Sequence, residues 1–361
     1  AYEDGAFYAR AGSYTSLSAA RSAAAQYGGT AVGGSGTGVT VIVTGSDTIL
    51  FEFDCGGSEN LGILPIETRE KTVTWFRGYR YYGGFEYQRV SGGNINVINV
   101  VDLEDYVKCV IPWEMSKDWP VEALKAQAIA AHSYALYCRD HAAEPASGWL
   151  SVDPVRRQGY LTDAVLRSYW GTAYEENYAR LSALVDSVLT DVLYYGSAPA
   201  GTSYFAMSNG RTEASENVWG TALPYLVPVD SSTDTAADNY EYTLNLSAAQ
   251  LQQLLAERLG IAADLSQQAQ WFGTPMLTPS GYVDSLPVCG QTVQGTALRK
   301  ALGLRSACFT VVWQSGTFSF TTKGYGHGVG MSQWGAKALA EQGADYRAIL
   351  AHYYPGTELR G

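Results

Sequence analysis

The chain has 361 residues, enough for one large domain or for two or three smaller domains with substantial cores. Charged residues make up 16% of it, against about a quarter in typical proteins, and the formal net charge is −11. This acidic balance disfavours nucleic acid, anionic lipid surfaces and polyanions as partners recognised by charge. The 26 Tyr and 9 Trp residues favour aromatic surfaces, and a flat ring with one polar group suits the face of a sugar.

The cysteines and the hydropathy pattern bear on the compartment. The odd number and scattered spacing of the cysteines do not form a disulfide framework, so we expect mostly buried free thiols. They are Cys55, Cys109, Cys138, Cys289 and Cys308. No apolar run reaches the roughly 18 residues of a membrane-spanning helix. The sequence starts without Met or a signal peptide, which a removed N-terminal anchor or signal would explain.

Residues 1–37 are predicted to form an N-terminal arm. An alternating run over 7–11 precedes an Ala-rich helical segment near 17–26, and a Gly/Ser/Thr-rich stretch follows. This order resembles the opening of a SPOR module, which binds peptide-free cell-wall glycan. The alternative is a β-rich arm of the main domain. Residues 38–101 alternate between apolar and polar positions and predict strands, beginning with a hairpin.

Two helical patterns meet within residues 103–140 at a short apolar and aromatic elbow, which holds a single carboxylate, Glu114. Trp113, Met115 and Pro112 surround this carboxylate in sequence, so we expect partial desolvation. Desolvation raises the pKa of a glutamate from about 4.3 toward roughly 6, where it can donate a proton. The alternative is a solvated glutamate at a helix end without chemistry.

The second helix of this pair is well specified by its sequence. Pro120 suits a first helical position, and Glu122 follows near the positive end of the helix dipole. Small and apolar residues recur at steps of three and four, which predicts one narrow packed face. These residues are Leu124, Ala128, Ala131 and Ala135.

The middle of the chain reads as a helix over 161–188, a strand over 190–196 and a long polar segment over 203–230, broken by Gly. Residues 231–300 predict a smaller inserted lobe. In it, Ser247 and Gln250 form a capping box before a helix that stops at a glycine.

An apolar hairpin near residues 306–324 feeds a glycine-rich loop and then a helix. Alternate glycines at 324, 326, 328 and 330 let a backbone approach a ligand closely. This is not a phosphate loop, because no Gly-Lys-Ser/Thr follows.

Three segments together resemble the stage II sporulation protein D family, also called the SpoIID/LytB domain. The first contains Leu-Glu-Asp-Tyr, Glu-Met and Glu-Ala-Leu-Lys-Ala-Gln-Ala within 103–140. The second is a Ser/Gly-rich loop with Thr-Glu, Glu-Asn-Val-Trp and Pro-Tyr-Leu within 203–230. The third is Gly-His-Gly-Val-Gly-Met-Ser-Gln, followed by a Tyr-Tyr-Pro-Gly ending.

The resemblance implies a lytic transglycosylase of bacterial cell-wall glycan, with Glu114 as its catalytic acid. Lys125 would orient Glu114 or bind the lactyl carboxylate. The remaining implied substrate-binding residues line the cleft, and they are Ser208, Thr212, His327, Ser332 and Gln333. We expect His327 to titrate near neutrality and to hold Glu114 or the sugar. For Ser208 and Thr212 the alternative is turn chemistry, in which the hydroxyls only stabilise turns. For His327 the alternative is that the loop backbone makes the hydrogen bonds of the ring.

Two positions depart from the family pattern. Some members carry a Cys/His cluster that binds zinc, but residues 142–160 contain neither Cys nor His. Cys138 and His141 alone do not fill a tetrahedral site, so we predict no metal and no cofactor. His132 stands where members often have Arg, and a neutral His supplies no permanent charge.

The predicted reaction cleaves the β-1,4 bond between N-acetylmuramic acid and N-acetylglucosamine and closes a 1,6-anhydro ring. One alternative is a non-catalytic glycan-binding enhancer of a partner amidase. Another is a water-using muramidase, which needs a second carboxylate from Glu213, Glu216 or Asp118. A cysteine peptidase using Cys109 and His327 is disfavoured, because nothing in the apolar setting of Cys109 lowers the pKa of its thiol.

The predicted fold class is α+β. A β-rich lobe and a helical lobe form a substrate groove in a catalytic domain over 38–356, which includes the inserted α/β lobe over 231–300. The resemblance implies an extracytoplasmic protein of forespore engulfment, membrane-anchored or secreted through an N-terminal segment. Its implied partners are peptide-denuded glycan strands, a cell-wall amidase and a membrane anchor protein.

Overall fold

The computed structural model describes residues 1–3, 6–32, 36–46, 48–56, 58–66, 73–90, 94–141 and 160–361. The predicted loop over 141–160 lies outside these residues apart from its two ends. Helices and strands alternate without a regular βαβ order, which confirms the α+β class. The chain divides into two compact units, which are residues 1–106 with 162–169 and residues 107–161 with 170–361.

The first unit is mainly β. Its elements are β1 (Tyr2–Glu3), β2 (Ala6–Phe7), α1 (Leu17–Tyr27), β3 (Val39–Ile42), β4 (Ile49–Asp54), β5 (Leu61–Ile63), β6 (Val73–Phe76), β7 (Tyr79–Tyr82), β8 (Gly84–Arg89) and β9 (Ile95–Val100). One sheet has the order β2-β1-β4-β3, a second β5-β8-β9, and β6 pairs with β7. Strands β3 and β4 pair antiparallel, which confirms the predicted hairpin. Ser16 caps α1 by accepting a hydrogen bond from the Ala19 N–H.

The remaining helices follow in chain order. They are α2 (Leu103–Glu114), α3 (Val121–Asp140), α4 (Asp163–Trp170), α5 (Tyr174–Asp186), α6 (Ser215–Trp219), α7 (Ala248–Leu259), α8 (Gly295–Leu302), α9 (Gln333–Glu341) and α10 (Tyr346–Tyr353). The helix predicted over 161–188 is interrupted at Gly171, whose φ of +51° lies in the left-handed region.

The remaining strands build small sheets in the second unit. They are β10 (Val192–Tyr195), β11 (Ala198–Pro199), β12 (Tyr204–Phe205), β13 (Glu241–Ser247), β14 (Met276–Leu277), β15 (Val283–Val288), β16 (Gln291–Gln294), β17 (Phe309–Gln314), β18 (Thr317–Lys323), β19 (Met331–Ser332) and β20 (Glu358–Arg360). The sheet orders are β11-β10-β20, β13-β18-β17 and β14-β15-β16, and β12 pairs with β19 in parallel.

Helix α3 is the central helix of the second unit. It packs against α5, α9, α10 and β10. Its predicted face is buried, but Ala126 and Ala130 on other sides of the helix are fully buried as well. The buried surface of α3 is therefore wider than the single narrow face that the sequence predicts. Small side chains on several sides let neighbouring helices and a strand approach the same helix closely.

A separate hydrophobic core lies under α7, α8 and the strands around them. It includes Leu251, Leu255, Trp271, Phe318 and Phe320, each at most 2% exposed. Burying such side chains stabilises the folded chain by about 1.5–3 kcal/mol each. The predicted capping box at the start of α7 is confirmed, because the Gln250 N–H donates to the Ser247 hydroxyl and the Gln250 side chain accepts from the Ser247 N–H.

Candidate active site

Glu114 is the last residue of α2 and lies half-buried at the elbow before α3. Its Oε2 accepts a hydrogen bond of 3.0 Å from the Nε2 of Gln333, a residue only 6% exposed. Gln333 is the first residue of α9, directly after the glycine-rich loop. Two segments separated by 219 positions therefore meet at one carboxylate.

The elbow is held from the side by α5. A guanidinium nitrogen of Arg180 donates to the backbone carbonyl of Lys117 at 2.8 Å. A mostly apolar cavity of about 150 Å³ borders the elbow, which is room for several waters or a small apolar group. Its lining comprises Ile111, Pro112, Met115, Lys117, Asp118, Trp119, Val121, Leu124, Trp170, Asn177, Arg180, Leu181 and Leu184.

The glycine-rich loop packs tightly on residues 203–208. Gly330 has a φ of +80°, and a Cβ atom there would lie 2.0 Å from the carbonyl oxygen of Ser203. Gly324 has a φ of +74°, and its Cβ would lie 2.6 Å from the carbonyl oxygen of Ser208. Because no larger residue fits either position, these glycines let the two loops approach each other.

A buried carboxylate that the sequence analysis missed joins these loops. Asp234 is fully buried, and its Oδ2 accepts from the Ser208 N–H at 2.7 Å and from the Ser231 hydroxyl at 3.0 Å. Its Oδ1 accepts from the Ser332 hydroxyl at 2.9 Å. Burial raises the pKa of Asp234, while the hydrogen bonds from Ser208, Ser332 and Ser231 oppose that rise.

All three predicted substrate-binding hydroxyl residues are fully buried, namely Ser208, Thr212 and Ser332. Ser332 also caps α9 by accepting from the Gly335 N–H at 3.2 Å. Thr212 Oγ1 accepts from the Val229 N–H at 2.8 Å. These contacts hold the loops in place, and for Ser208 and Thr212 they match the alternative of a role in turns. The predicted contact of the three hydroxyls with substrate stays a prediction.

Glu213 is the buried candidate for a second carboxylate. It is 1% exposed, and its Oε1 accepts from the Ala214 N–H at 2.7 Å and from the Asn217 side chain at 2.9 Å. Its Oε2 accepts from the Thr278 hydroxyl. A carboxylate enclosed by three donors has no room to activate a water molecule, so Glu213 holds loops together.

The other two candidates for a second carboxylate lie at the surface. Asp118 is exposed and bound by Lys117 at 2.7 Å, and this hydrogen bond lowers the pKa of Asp118. Glu216 is exposed on α6, where it accepts from the Ser215 hydroxyl at 3.5 Å. Both carboxylates are solvated, and neither has the partly desolvated setting of Glu114.

His327 lies between two aromatic rings. Its ring centroid is 5.5 Å from that of Phe205 and 5.1 Å from that of Trp219. Nδ1 accepts from the Val329 N–H at 3.1 Å, and the ring also hydrogen-bonds to the backbone of Tyr204. Desolvation lowers the pKa of His327 to about 4. The expectation that it titrates near neutrality is wrong, since the ring is neutral there and is satisfied by loop backbone.

Lys125 is held by α3 and α10. Its Nζ lies 3.0 Å from Glu122 Oε1 and 5.5 Å from the ring centroid of Tyr346. The other oxygen of Glu122 accepts from the Tyr346 N–H at 2.9 Å. These contacts place Lys125 in an ion pair with Glu122, and its predicted role toward Glu114 or a substrate carboxylate stays a prediction.

The positions where the sequence departs from the family pattern have defined surroundings. His132 is 7% exposed, and burial lowers its pKa, so it carries no charge at neutral pH. The ring of His141 stacks on Tyr137 at 4.0 Å. Among the described residues, no group of three or more His, Cys, Asp or Glu side chains is arranged to hold a metal ion.

The site thus consists of a half-buried acid, Glu114, at the elbow between α2 and α3. The amide of Gln333, the first residue of α9 after the glycine-rich loop, holds this acid in place. These features define an α+β protein in which segments far apart in sequence meet at one acidic side chain. The family model described as stage II sporulation protein (SpoIID) matches residues 91–195, which include Glu114 and Lys125.

Comparison with characterised sequences extends the match beyond that segment. The chain is 36% identical over 261 residues to stage II sporulation protein D of Bacillus amyloliquefaciens, which covers 72% of this chain and 74% of the relative. It is 37% identical, with the same coverage, to stage II sporulation protein D of Bacillus subtilis (strain 168). The chain belongs to the stage II sporulation protein D family.

A more distant relative has a different name. The amidase enhancer of Bacillus subtilis (strain 168) is 29% identical over 311 residues, which is 70% of this chain and 40% of that protein.

In the part of the chain that the structure describes, no helix is long and apolar enough to cross a bilayer.

Proposed function

We propose that this protein is a peptidoglycan lytic transglycosylase that acts on the cell wall during sporulation. It cleaves the β-1,4 bond between N-acetylmuramic acid and N-acetylglucosamine, with peptide-denuded glycan strands as substrate. The observation that carries the proposal is the half-buried Glu114, held by the Gln333 amide at 3.0 Å. The stage II sporulation protein D relatives support the setting in sporulation.

One carboxylate is sufficient for this reaction. Glu114 donates its proton to the glycosidic oxygen as the bond to the anomeric carbon breaks, and the sugar develops oxocarbenium character. The 6-hydroxyl of the same N-acetylmuramic acid then attacks the anomeric carbon and returns its proton to Glu114. The carboxyl group ends in its starting state, and no water is consumed. A muramidase would need a second carboxylate, and the burial of Glu213 argues against that residue.

The Gln333 amide favours this cycle by fixing the acid. Its Nε2 donates to one oxygen of Glu114, which holds the carboxyl group in one orientation relative to the scissile bond. A hydrogen bond to a carboxylate also stabilises the charged form that exists between the two proton transfers. We propose that the substrate groove runs over Glu114 and the start of α9.

Replacing the acid tests the proposal. Glu114→Gln retains the shape of the side chain and one acceptor oxygen for the Gln333 amide but removes the acidic proton. We expect the release of 1,6-anhydro products from denuded glycan to fall by at least about 100-fold. Mass spectrometry identifies these products, because each carries one water less than a hydrolysis product.

The matched control is Glu216→Gln, an exposed glutamate on α6, which is expected to leave the rate unchanged. Undiminished cleavage by Glu114→Gln would refute the assignment of the acid. Products with reducing muramic acid ends would instead support the muramidase.

The second candidate function is a non-catalytic glycan-binding enhancer of a partner amidase, which the 29% identity to the amidase enhancer favours. This function predicts that wild type and Glu114→Gln retain denuded glycan equally in a pull-down. It also predicts that both stimulate an added amidase equally and that neither generates new chain ends. Cleavage by wild type that disappears in Glu114→Gln would exclude a purely binding role.

The site of action and the partners follow from the proposed substrate. Peptidoglycan lies outside the cytoplasmic membrane, so we propose an extracytoplasmic protein, anchored or secreted through an N-terminal segment. Partners would be a cell-wall amidase, which supplies peptide-free strands, and a membrane anchor protein.

The division into an arm over 1–37 and a catalytic domain over 38–356 with an inserted lobe belongs to the same proposal.

A further inference from the structure

Two partly exposed indoles meet beside the acid. Trp334 directly follows Gln333 in α9, and Trp119 lies in the elbow five residues after Glu114. Their ring centroids are 5.2 Å apart, with the planes at 67°. The hydrogen bond between Gln333 and Glu114 brings the same two segments together at the carboxylate. The acid and the indole pair are therefore neighbours on one junction.

A lysine one turn further along α9 adds a positive charge to this pair. Lys337 Nζ lies 5.5 Å from the ring centroid of Trp334. The same ammonium forms an ion pair of 2.6 Å with Glu341, a side chain that is 51% exposed. A solvent-facing ion pair at this helical spacing is weak, so a ligand carboxylate can replace Glu341 at little cost.

We infer that Trp119, Trp334 and Lys337 form a saccharide subsite that selects a carboxylate-bearing amino sugar. The apolar face of the sugar ring packs on the indoles, and Lys337 leaves Glu341 to bind the sugar carboxylate. The inference rests on the proposed function, and in peptidoglycan the corresponding group is the lactyl ether of N-acetylmuramic acid. It gives the chain a means of orienting the strand, because only every second sugar carries this carboxylate.

The backbone supports such a role. The Trp334 N–H donates to the Ala206 carbonyl at 3.0 Å, which fixes the start of α9 against the loop after β12. On the other indole, Trp119 also lines the cavity behind the elbow. The two rings thus belong to separate elements, the elbow and α9, which the hydrogen bond between Gln333 and Glu114 also joins.

Binding measurements on an inactive background test the subsite. In Glu114→Gln protein, calorimetry would follow three soluble probes. These are denuded glycan oligosaccharides, the same oligosaccharides with their carboxyls reduced to alcohols, and N-acetylglucosamine tetramer. Trp334→Leu keeps apolar volume without the ring and is expected to weaken all three by about tenfold. Trp334→Tyr, which keeps an aromatic face, should restore most of the affinity.

Lys337→Met should weaken only the carboxylated glycan, by about threefold, and this loss should shrink in high salt. Matched controls come from a hairpin elsewhere in the same unit. Trp313 in β17 is 40% exposed, and Lys323 in β18 pairs with Glu241 at 3.5 Å. Trp313→Leu and Lys323→Met are expected to leave every affinity unchanged.

The results separate the two proposals. Unchanged affinities in folded Trp334→Leu protein, with thermal unfolding as the check, would overturn the subsite even if wild type cleaves glycan. Equal loss of carboxylated and reduced glycan in Lys337→Met would overturn the role of the lysine. Probe binding that depends on Trp334, in a wild type without cleavage, would support the subsite while refuting the transglycosylase.

Discussion

At the residue scale, the surroundings of each ionisable side chain decide what it can do. Glu114 is half-buried and meets an amide, whereas Glu213 is 1% exposed and enclosed by donors. Asp118 is an exposed carboxylate paired with a lysine. These three carboxylates have nearly the same chemistry in free solution and differ here in desolvation and partners. Of these three, Glu114 alone combines partial burial with a place at the junction of two signature segments.

His327 gives a prediction about pH. Its pKa of about 4 in the folded protein lies below its ordinary value of 6.5. Between these values the imidazole of His327 binds a proton in the unfolded chain but not in the folded chain. The free energy of unfolding therefore falls as the pH is lowered from 6.5 toward 4. We expect His327 to contribute at most about 3 kcal/mol to this loss.

Urea unfolding at pH 7 and pH 4.5 would measure it. His327→Gln should lose less stability between the two values than wild type, and replacement of the exposed His141 by Gln should not alter the difference. A wild-type pH dependence that His327→Gln reproduces in full would contradict the neutral, partly buried imidazole.

At the element scale, the glycine-rich loop shows how backbone shape positions the acid's partner. The pairing of β12 with β19 places the start of α9 next to residues 204–205. This approach requires Gly330, because any side chain there meets the Ser203 carbonyl. The loop is therefore specified by steric exclusion as much as by attraction.

Gly330→Ala tests that exclusion. A left-handed φ costs a non-glycine residue about 1–2 kcal/mol, and the clash with Ser203 adds about 1–3 kcal/mol. Gly343 is the matched control, since its φ is +95° but a Cβ atom there would have nothing within 4 Å. Denaturant unfolding should show a loss of about 1–2 kcal/mol for Gly343→Ala and clearly more for Gly330→Ala. Equal losses would mean that the close approach is not required.

Local elements were predictable from the sequence, and tertiary ones were not. The capping box at Ser247 and the hairpin of β17 and β18 depend on neighbouring residues, and both predictions are confirmed. The break at Gly171 was missed, since a glycine within a helical pattern is usually tolerated. The contact between Glu114 and Gln333 could be approached only through family resemblance, because no periodicity connects such distant positions. Asp234 was missed for the same reason, as its donors come from separate segments.

At the scale of the whole molecule, Asp234 connects parts of the chain that are far apart in sequence. Ser208, Ser231 and Ser332 donate to it, and the Ser231 hydroxyl is also 2.8 Å from the Tyr353 hydroxyl in α10. One buried carboxylate thus joins the second and third signature segments to the C-terminal helix. Its satisfied hydrogen bonds compensate for the burial of its charge.

Asp234→Ala should therefore affect both stability and activity. Removing the acceptor leaves buried donors unpaired, and we expect a loss of about 3 kcal/mol in the free energy of unfolding. Glycan cleavage should fall through misplacement of Gln333, with the product spectrum unchanged. The exposed Asp238 is the control, and Asp238→Ala should change neither quantity. Wild-type stability in Asp234→Ala would show that the network is dispensable.

The separation of 219 positions between the acid and its amide partner has a consequence for biogenesis. A nascent polypeptide contains Glu114 long before Gln333, the residue that holds its carboxylate, has been synthesised. Long-range contacts of this kind form late, once most of the chain is present. The proposed site is therefore complete only when nearly all of the chain has been synthesised.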